Sequence, residues 1–369
     1  MTLQRLSGDP LQADHWCHQL SIAAEATRVL LLLAGTATAA VPGISAAGST
    51  PESRRRTAAA DAELLLLGPS EPRPHALPPL PAGVSPALIA RVVVEQLGLS
   101  PLVVDAGASV APAVPHLQLG QGPAQCLSGG AAMEPQRVQQ LLELGRRWGR
   151  QLARLGQPLL VAECVPGGTS TAQAVLQGLG VEAAGLVSGS LREPAHRLKA
   201  DLVARGLAAA QLASPAGAEA VLAAVGDPMQ PLAAGLLQAA ALAGLPVLLA
   251  GGSQMAAVLA LALELTPAAD RSQLIAQAAL ATTAWVAAER SSNLTLLLEQ
   301  LGRRWSCEPL AFAAGLRFSS CRSPELLAFE QGYVKEGVGA GGLAALWQLS
   351  GRSPDELAAL CDQACALLR

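Results

Sequence analysis

Twice in this chain an aliphatic run of strand length ends in a glycine turn that opens straight into a helical pattern. In residues 161–180, VAECVPGGTSTAQAVLQGLG, a strand over 159–162 is expected to end at Glu163, turn on Gly167 and Gly168, and give way to a helix near Thr169. Residues 245–253, LPVLLAGGS, repeat the arrangement ahead of a helix over 254–265. Runs that are apolar without alternation read as strands buried on both faces, the state of parallel strands covered by helices. VLLLLAG at 29–35 and PLVVDAG at 101–107 add two more such runs. The alternation predicts an α/β fold with a Rossmann-like, mostly parallel sheet flanked by helices.

A further strand is expected at AELLLLG, 62–68, and a strand or helix end at EAVLAAVGDP, 219–228. GLVSGS, 185–190, reads as a short strand end, and AALATTAWVA, 278–287, as another apolar segment. Helices are expected over 1–27, 85–97, 135–155 and 194–210, and residues from 305 on read as mostly helical. These expectations divide the chain into a large α/β domain, 28–304, and a small helical subdomain from the chain termini, 1–27 and 305–369, which packs on it.

Apolar residues make up 51% of the chain and charged residues 14%, so much of it must be buried. With 25 basic and 28 acidic residues, no dense Lys/Arg stripe and 2% aromatics, nucleic acid is an unlikely partner. The uncharged stretch between Asp227 and Glu264 raises the question of a membrane span. Pro231, Gly244, Pro246 and the turn at 251–254 break it into helix, strand, turn and helix. Seven scattered cysteines without a CxxC pair, and an N-terminus without an apolar leader core, suggest reduced thiols in a cytoplasmic protein. Scarce charge and abundant alanine also suit a homodimer.

A helix start exposes backbone N–H groups, and glycine lets an anion approach them, so Gly167, Gly168, Thr169 and Ser170 suit a phosphate or carboxylate cradle. They suit an ordinary capped strand-to-helix turn equally well. Gly251, Gly252 and Ser253 form a second turn of the kind, Lys199 lies on a basic helix, and Asp227 reads as a helix cap. The loop at 35–48, GTATAAVPGISAAG, follows a strand at the end where open α/β sheets place ligands. No P-loop, nucleophile-elbow or zincin signature occurs, no GxGxxG follows a strand, and no acidic pair in an apolar run marks use of phosphoribosyl pyrophosphate.

Three stretches carry a family resemblance. VAECVPGGTSTAQAV at 161–175 looks like a loop of the nicotinate-nucleotide:dimethylbenzimidazole phosphoribosyltransferases. VKEGVGAGGLAAL at 334–346 resembles their C-terminal Glu-Gly-x-Gly-Ala segment, and the stretches at 35–52 and 163–172 resemble the archaeal and cyanobacterial branch of that family. Where the established enzymes carry Asp-His-Gly after the first strand, this chain has Thr36-Ala37-Thr38. The resemblance implies transfer of the phosphoribosyl group of nicotinate mononucleotide to an aromatic base, in cobamide lower-ligand nucleotide synthesis, with no metal and no cofactor. It implies Glu336 as the catalytic base, with Gly337 and Gly339 letting a planar ring approach, and Glu163 orienting a ribose hydroxyl or the loop. It implies a phosphate site at 167–170 completed by Lys199, and a base pocket that includes Thr36 and Thr38. The alternative is a nucleotide-binding or sensor module of the same fold without turnover.

Overall fold

The structure, a computed structural model, describes residues 3–213 and 215–368. Its frame is one sheet of eight strands: β1 (Gln4–Ser7), β2 (Arg28–Ala34), β3 (Leu102–Gly107), β4 (Leu117–Gln118), β5 (Leu159–Cys164), β6 (Val247–Ala250), β7 (Ala278–Thr282) and β8 (Leu310–Ala313). They lie in the order β1-β8-β7-β6-β5-β2-β3-β4, and every pair is parallel except β1 with β8. From β2 the chain builds outward first through β3 and β4 and then, on the other side, through β5 to β8. The order therefore reverses between β2 and β5, which opens a crevice beyond their carboxyl ends, where α/β sheets bind ligands.

Helices cover both faces, and β2 shows how the sequence divides between them. Leu30 and Leu32 enter one core, while Val29, Leu31 and Leu33 enter the other. This is the two-residue alternation of a strand whose faces are both buried. In the first core, helices Pro135–Ala153 and Met229–Leu242 approach closely through small residues. A Cβ on Gly145 would lie 2.2 Å from the Leu232 carbonyl oxygen, and one on Gly235 would lie 2.3 Å from that of Leu142. The uncharged stretch after Asp227 is this second helix, β6 and the helix Ser253–Leu265. Among the described residues no helix is long and apolar enough to cross a membrane.

Several elements differ from the sequence reading. Residues 62–68 are not a strand: AELLLL is the second half of a helix, Pro51–Leu67. Thr50 and Ser53 cap its start reciprocally, Pro51 occupies its first position, and the helix is buried from Ala58 to Leu65, so the apolar run has no period to betray it. Of the two alternatives for 219–228 the structure has the helix, Ala218–Val225, whereas 185–190 form a loop and not a strand end. The termini are not wholly helical, because β1 and β8 join the sheet; LAFA and QRLS are too short for a pattern to separate strand from helix. The helices Pro10–Ile22, Ala340–Leu349 and Pro354–Ala366 do pack together, placing Trp16, Leu346 and Cys361 in the second core.

Gly145→Leu should force the two helices apart and lower the unfolding free energy by about 1–3 kcal/mol or more. Gly217→Ala, at a position where a Cβ would meet nothing within 4 Å, should shift it by no more than about 0.5 kcal/mol. Urea denaturation of both variants checks the pair.

Candidate active site

A cavity of about 300 Å³ opens at the carboxyl edge of the sheet. The turn after β5 supplies Glu163 and residues 165–169, the turn after β6 supplies Gly252, Ser253 and Gln254, and the loop after β2 supplies Ser45, Ala46 and Ala47. Its remaining walls are Thr57 and Asp61, the proline-rich segment 77–80 and 83–86, the loop 188–190, Val286, and Val334, Glu336 and Gly337. Ser190 ties three of these together: its hydroxyl accepts from the Ala46 N–H at 2.8 Å, its carbonyl accepts from the Val334 N–H at 3.1 Å, and it meets the Ser45 hydroxyl at 3.2 Å.

Glu336 is held by the sheet edge itself. Its Oε2 accepts the Thr282 hydroxyl at 2.8 Å and the Thr283 N–H at 3.0 Å; its Oε1 accepts the N–H groups of Gly337 at 3.1 Å and Gly341 at 3.0 Å. The segment that carries it lies directly on three strand ends. A Cβ on Gly339 would lie 2.6 Å from that of Ala162, one on Gly342 would lie 2.3 Å from that of Ala250, and one on Gly341 would lie 2.2 Å from the Thr282 carbonyl carbon. The backbone accepts strain to do this, with Val334, Lys335 and Val338 at φ of +64°, +61° and +53°. Non-glycine residues in that region cost on the order of 1–3 kcal/mol each and gather at functional sites.

Glu163, at the end of β5, faces the same cavity and is buried. Desolvation, reinforced by the charges of Asp227 and Glu336, pushes its carboxyl up to about 8, against the bonds from the Val165 N–H and Gln254. Glu336 is also raised by burial, and its four hydrogen bonds oppose the shift. The two environments differ: burial beside two other acids favours the protonated form of Glu163, and the four hydrogen bonds to Glu336 favour its charged form.

The turn between them is built for close approach. Gly167 is left-handed at φ +81°, and a Cβ there would lie 3.1 Å from the backbone of Ala39. The helix Gly168–Gly178 follows, and Gly168 and Thr169 line the cavity with Gly167. Ser170 points away, fully buried, its hydroxyl without a protein partner. Behind the loop 188–190 lies a buried ionic group. Lys199, 1% exposed, donates to the Ser188 carbonyl at 2.8 Å, and burial lowers its ammonium to about 8, against the pull of Glu289. Lys335 pairs with Glu289 at 2.8 Å and donates to the Leu191 carbonyl at 2.7 Å, while Glu289 also accepts the hydroxyls of Ser188 and Ser292. Two buried ammonium groups against one carboxylate leave a positive surplus beside the loop.

Of the residues expected from the sequence, the cavity gathers Glu163, Gly167, Gly168, Thr169, Gly252, Ser253, Glu336 and Gly337. Lys199 reaches its wall through Ser188, and Gly251 and Gly339 stand behind it as packing positions. Thr36 and Thr38 are elsewhere: their hydroxyls bond each other at 3.0 Å, and that of Thr38 accepts from the Leu127 N–H, so they brace the loop over 124–127. Thr36 lines a separate, smaller cavity with Arg54 and Pro123. Asp227, read from the sequence as a helix cap, lies one residue before the cap position Pro228, where it accepts the Met229 N–H at 3.1 Å and the Thr171 hydroxyl at 2.5 Å. The sequence reading missed Asp61, Ser85, Glu289 and Lys335. Asp61 stands in AAADAE, two residues before Glu63 and ahead of an apolar run, and its alanine surroundings were its one available signal. Among the described residues no group of three His, Cys, Asp or Glu is placed to hold a metal ion.

The raised Glu163 makes stability depend on pH. The folded state keeps a proton that the unfolded chain releases near the ordinary value of 4.5, so this contribution is full below that pH and is lost as pH rises to about 8. The melting temperature should therefore fall between about pH 5 and pH 8, and fall less in Glu163→Gln. A scanning-fluorimetry series with the same slope in both proteins would contradict this.

A family model described as phosphoribosyltransferase matches residues 87–290. A UPF0284 protein of Parasynechococcus marenigrum is 50% identical over 98% of this chain and 91% of its own length. One of Gloeobacter violaceus is 46% identical over 96% of this chain and 91% of its own. Both relatives are cyanobacterial. Among solved structures, CobT of Thermus thermophilus superposes with a TM-score of 0.60 at 21% identity, covering 96% of this chain and 92% of that one. A nicotinate-nucleotide-dimethylbenzimidazole phosphoribosyltransferase structure from the same organism gives 0.58 at 21% identity, covering 98% and 95%. At that identity the two structures establish the shared fold.

Proposed function

This chain belongs to the phosphoribosyltransferase family, and on that premise we propose that it moves the phosphoribosyl group of nicotinate mononucleotide to an aromatic nitrogen base, making the lower-ligand nucleotide of a cobamide. The observation that carries the reading is Glu336, a carboxylate fixed by four hydrogen bonds at the wall of a cavity whose other polar groups suit a ribose phosphate.

In this reading the phosphate lies against the N–H groups of the turn at 167–169 and the loop 188–190. The positive surplus of Lys199 and Lys335 with Glu289 favours a dianion there. Protonated Glu163 donates to a ribose hydroxyl, which avoids placing a second negative charge beside Glu336. The bond from the anomeric carbon to the pyridinium nitrogen of nicotinate breaks, and the electron pair neutralises the ring as it leaves. A new bond forms from the same carbon to an imine-type nitrogen of the base, and the N–H proton of that base passes to Glu336. A carboxyl raised above its ordinary range is suited to that transfer. Fixing both rings on one carbon is the larger effect, since well-oriented reactants gain roughly 7–11 kcal/mol.

Thr36 and Thr38 are not part of the ring site in this reading, and its walls are the proline-rich segment and Val334. A cytoplasmic homodimer belongs to the same proposal; the free thiols of Cys17, Cys126, Cys164 and Cys307 support a reducing compartment.

Nicotinate release, measured with nicotinate mononucleotide and a panel of bases, tests the proposal. Glu336→Gln should lower kcat by about 10²–10⁴-fold with nucleotide affinity little changed, and Lys199→Ala should weaken nucleotide binding. Nucleotide binding without nicotinate release for any base would instead favour a binding module without turnover.

A further inference from the structure

The cavity contains a charged side chain that the transfer step leaves unused. Asp61, in the middle of helix Pro51–Leu67, is 3% exposed and lines the cavity. Its Oδ1 accepts the Ser85 hydroxyl at 2.6 Å and its Oδ2 accepts the Cys164 thiol at 3.4 Å. An ionised carboxylate has about four acceptor sites, so each oxygen keeps capacity for another donor. Among the described residues no lysine, arginine or histidine lines this cavity to supply one, and the neighbouring wall is Leu77, Leu80, Val84 and Pro86. Burial pushes the Asp61 carboxyl up to about 6, which leaves it charged at neutral pH. A buried charge with spare acceptor sites among apolar groups is unfavourable unless a ligand completes it.

Its place in the cavity indicates which part of a ligand it would meet. Ser85 leads into Pro86, whose ring lies 2.9 Å from where a Cβ on Gly337 would stand, and Gly337 follows Glu336. Asp61 thus reaches the Glu336 segment through Ser85 and Pro86, whereas Lys199 reaches it through the loop 188–190. The acceptor group and the positive group therefore meet the Glu336 segment through different contacts. A ligand whose phosphate takes the positive wall leaves Asp61 to the ring that replaces nicotinate.

We propose that Asp61 determines specificity for the accepting base, taking a hydrogen bond from an amino, N–H or hydroxyl group on the ring edge remote from the attacking nitrogen. The protein then prefers nitrogen heterocycles that carry a donor on that edge over rings of the same shape that carry a methyl group. This rests on the transferase reading above.

The test is a matched pair of rings, 5-aminobenzimidazole and 5-methylbenzimidazole, titrated into the full-length protein by calorimetry in the absence of nicotinate mononucleotide, while nicotinate release is assayed separately with the nucleotide added. The native protein should bind the amino ring about tenfold more tightly, as expected for a hydrogen bond to a charged group. Asp61→Leu should bind the two rings equally. Asp61→Asn, which keeps the size of the side chain and guards against misfolding of the leucine variant, should lose most of the preference. Ser85→Ala, which frees Oδ1, should retain it. Equal binding by the native protein, binding of neither ring, or a preference that survives both Asp61 variants overturns the proposal. Binding is read without turnover, so failure to release nicotinate with any base counts against the transferase reading while the binding ratio still judges Asp61.

Discussion

The structure depends on the seating of one glycine-rich segment against the carboxyl edge of the sheet. Residues 337–342, GVGAGG, touch three parallel strands at once, with Gly339 on Ala162 of β5, Gly342 on Ala250 of β6 and Gly341 on Thr282 of β7. A side chain at any of the three glycines would enter neighbouring atoms, and the small residues at those strand ends complete the fit. This contact delivers Glu336 to the cavity with its oxygens already bonded to Thr282, Thr283, Gly337 and Gly341. The strained φ values at Val334, Lys335 and Val338 follow from the same constraint, because the chain must turn sharply to lie flat on the sheet edge.

Electrostatics then divide the cavity. Glu163, Asp61 and Asp227 are buried and Glu336 is half-buried, desolvation makes the ionisation of all four harder, and each is answered by different donors. Glu336 has four, two of them from the start of the helix Ala340–Leu349 and the turn before it, so it bears charge well. Glu163, next to two other acids, is pushed up to about 8. The ammonium groups of Lys199 and Lys335, behind 188–190, supply the opposite sign at the other wall.

How much of this the sequence disclosed depended on the length and environment of each element. β2, β3, β5 and β6 are aliphatic runs with glycine or proline close by, and their burial on both faces is what made them visible. β1 and β8, four residues each, carry no pattern long enough to read. Helix Pro51–Leu67 reads in part as a strand because burial all round erases the 3.6-residue period. In the site, Glu163 and the 167–169 turn were legible from local chemistry, since a strand, an acid and a glycine turn are contiguous. Lys199 and Glu336 were legible through the family resemblance alone. Asp61, Ser85 and the Lys335–Glu289 pair were not legible, because the contacts that join Asp61 to Ser85 and Lys335 to Glu289 run between residues distant in the chain. Thr36 and Thr38 show the converse: position after a strand suggested a ligand site, but their hydroxyls are spent on each other and on the loop over 124–127.

The most direct test of the central claim is a crystal structure of the protein with nicotinate mononucleotide bound. The account predicts the phosphate within hydrogen-bonding distance of the 167–169 turn and the 188–190 loop, and the Glu336 carboxylate on the face of the ribose opposite the departing nicotinate. A nucleotide bound with its phosphate at another wall, or with its anomeric carbon out of reach of Glu336, would contradict it.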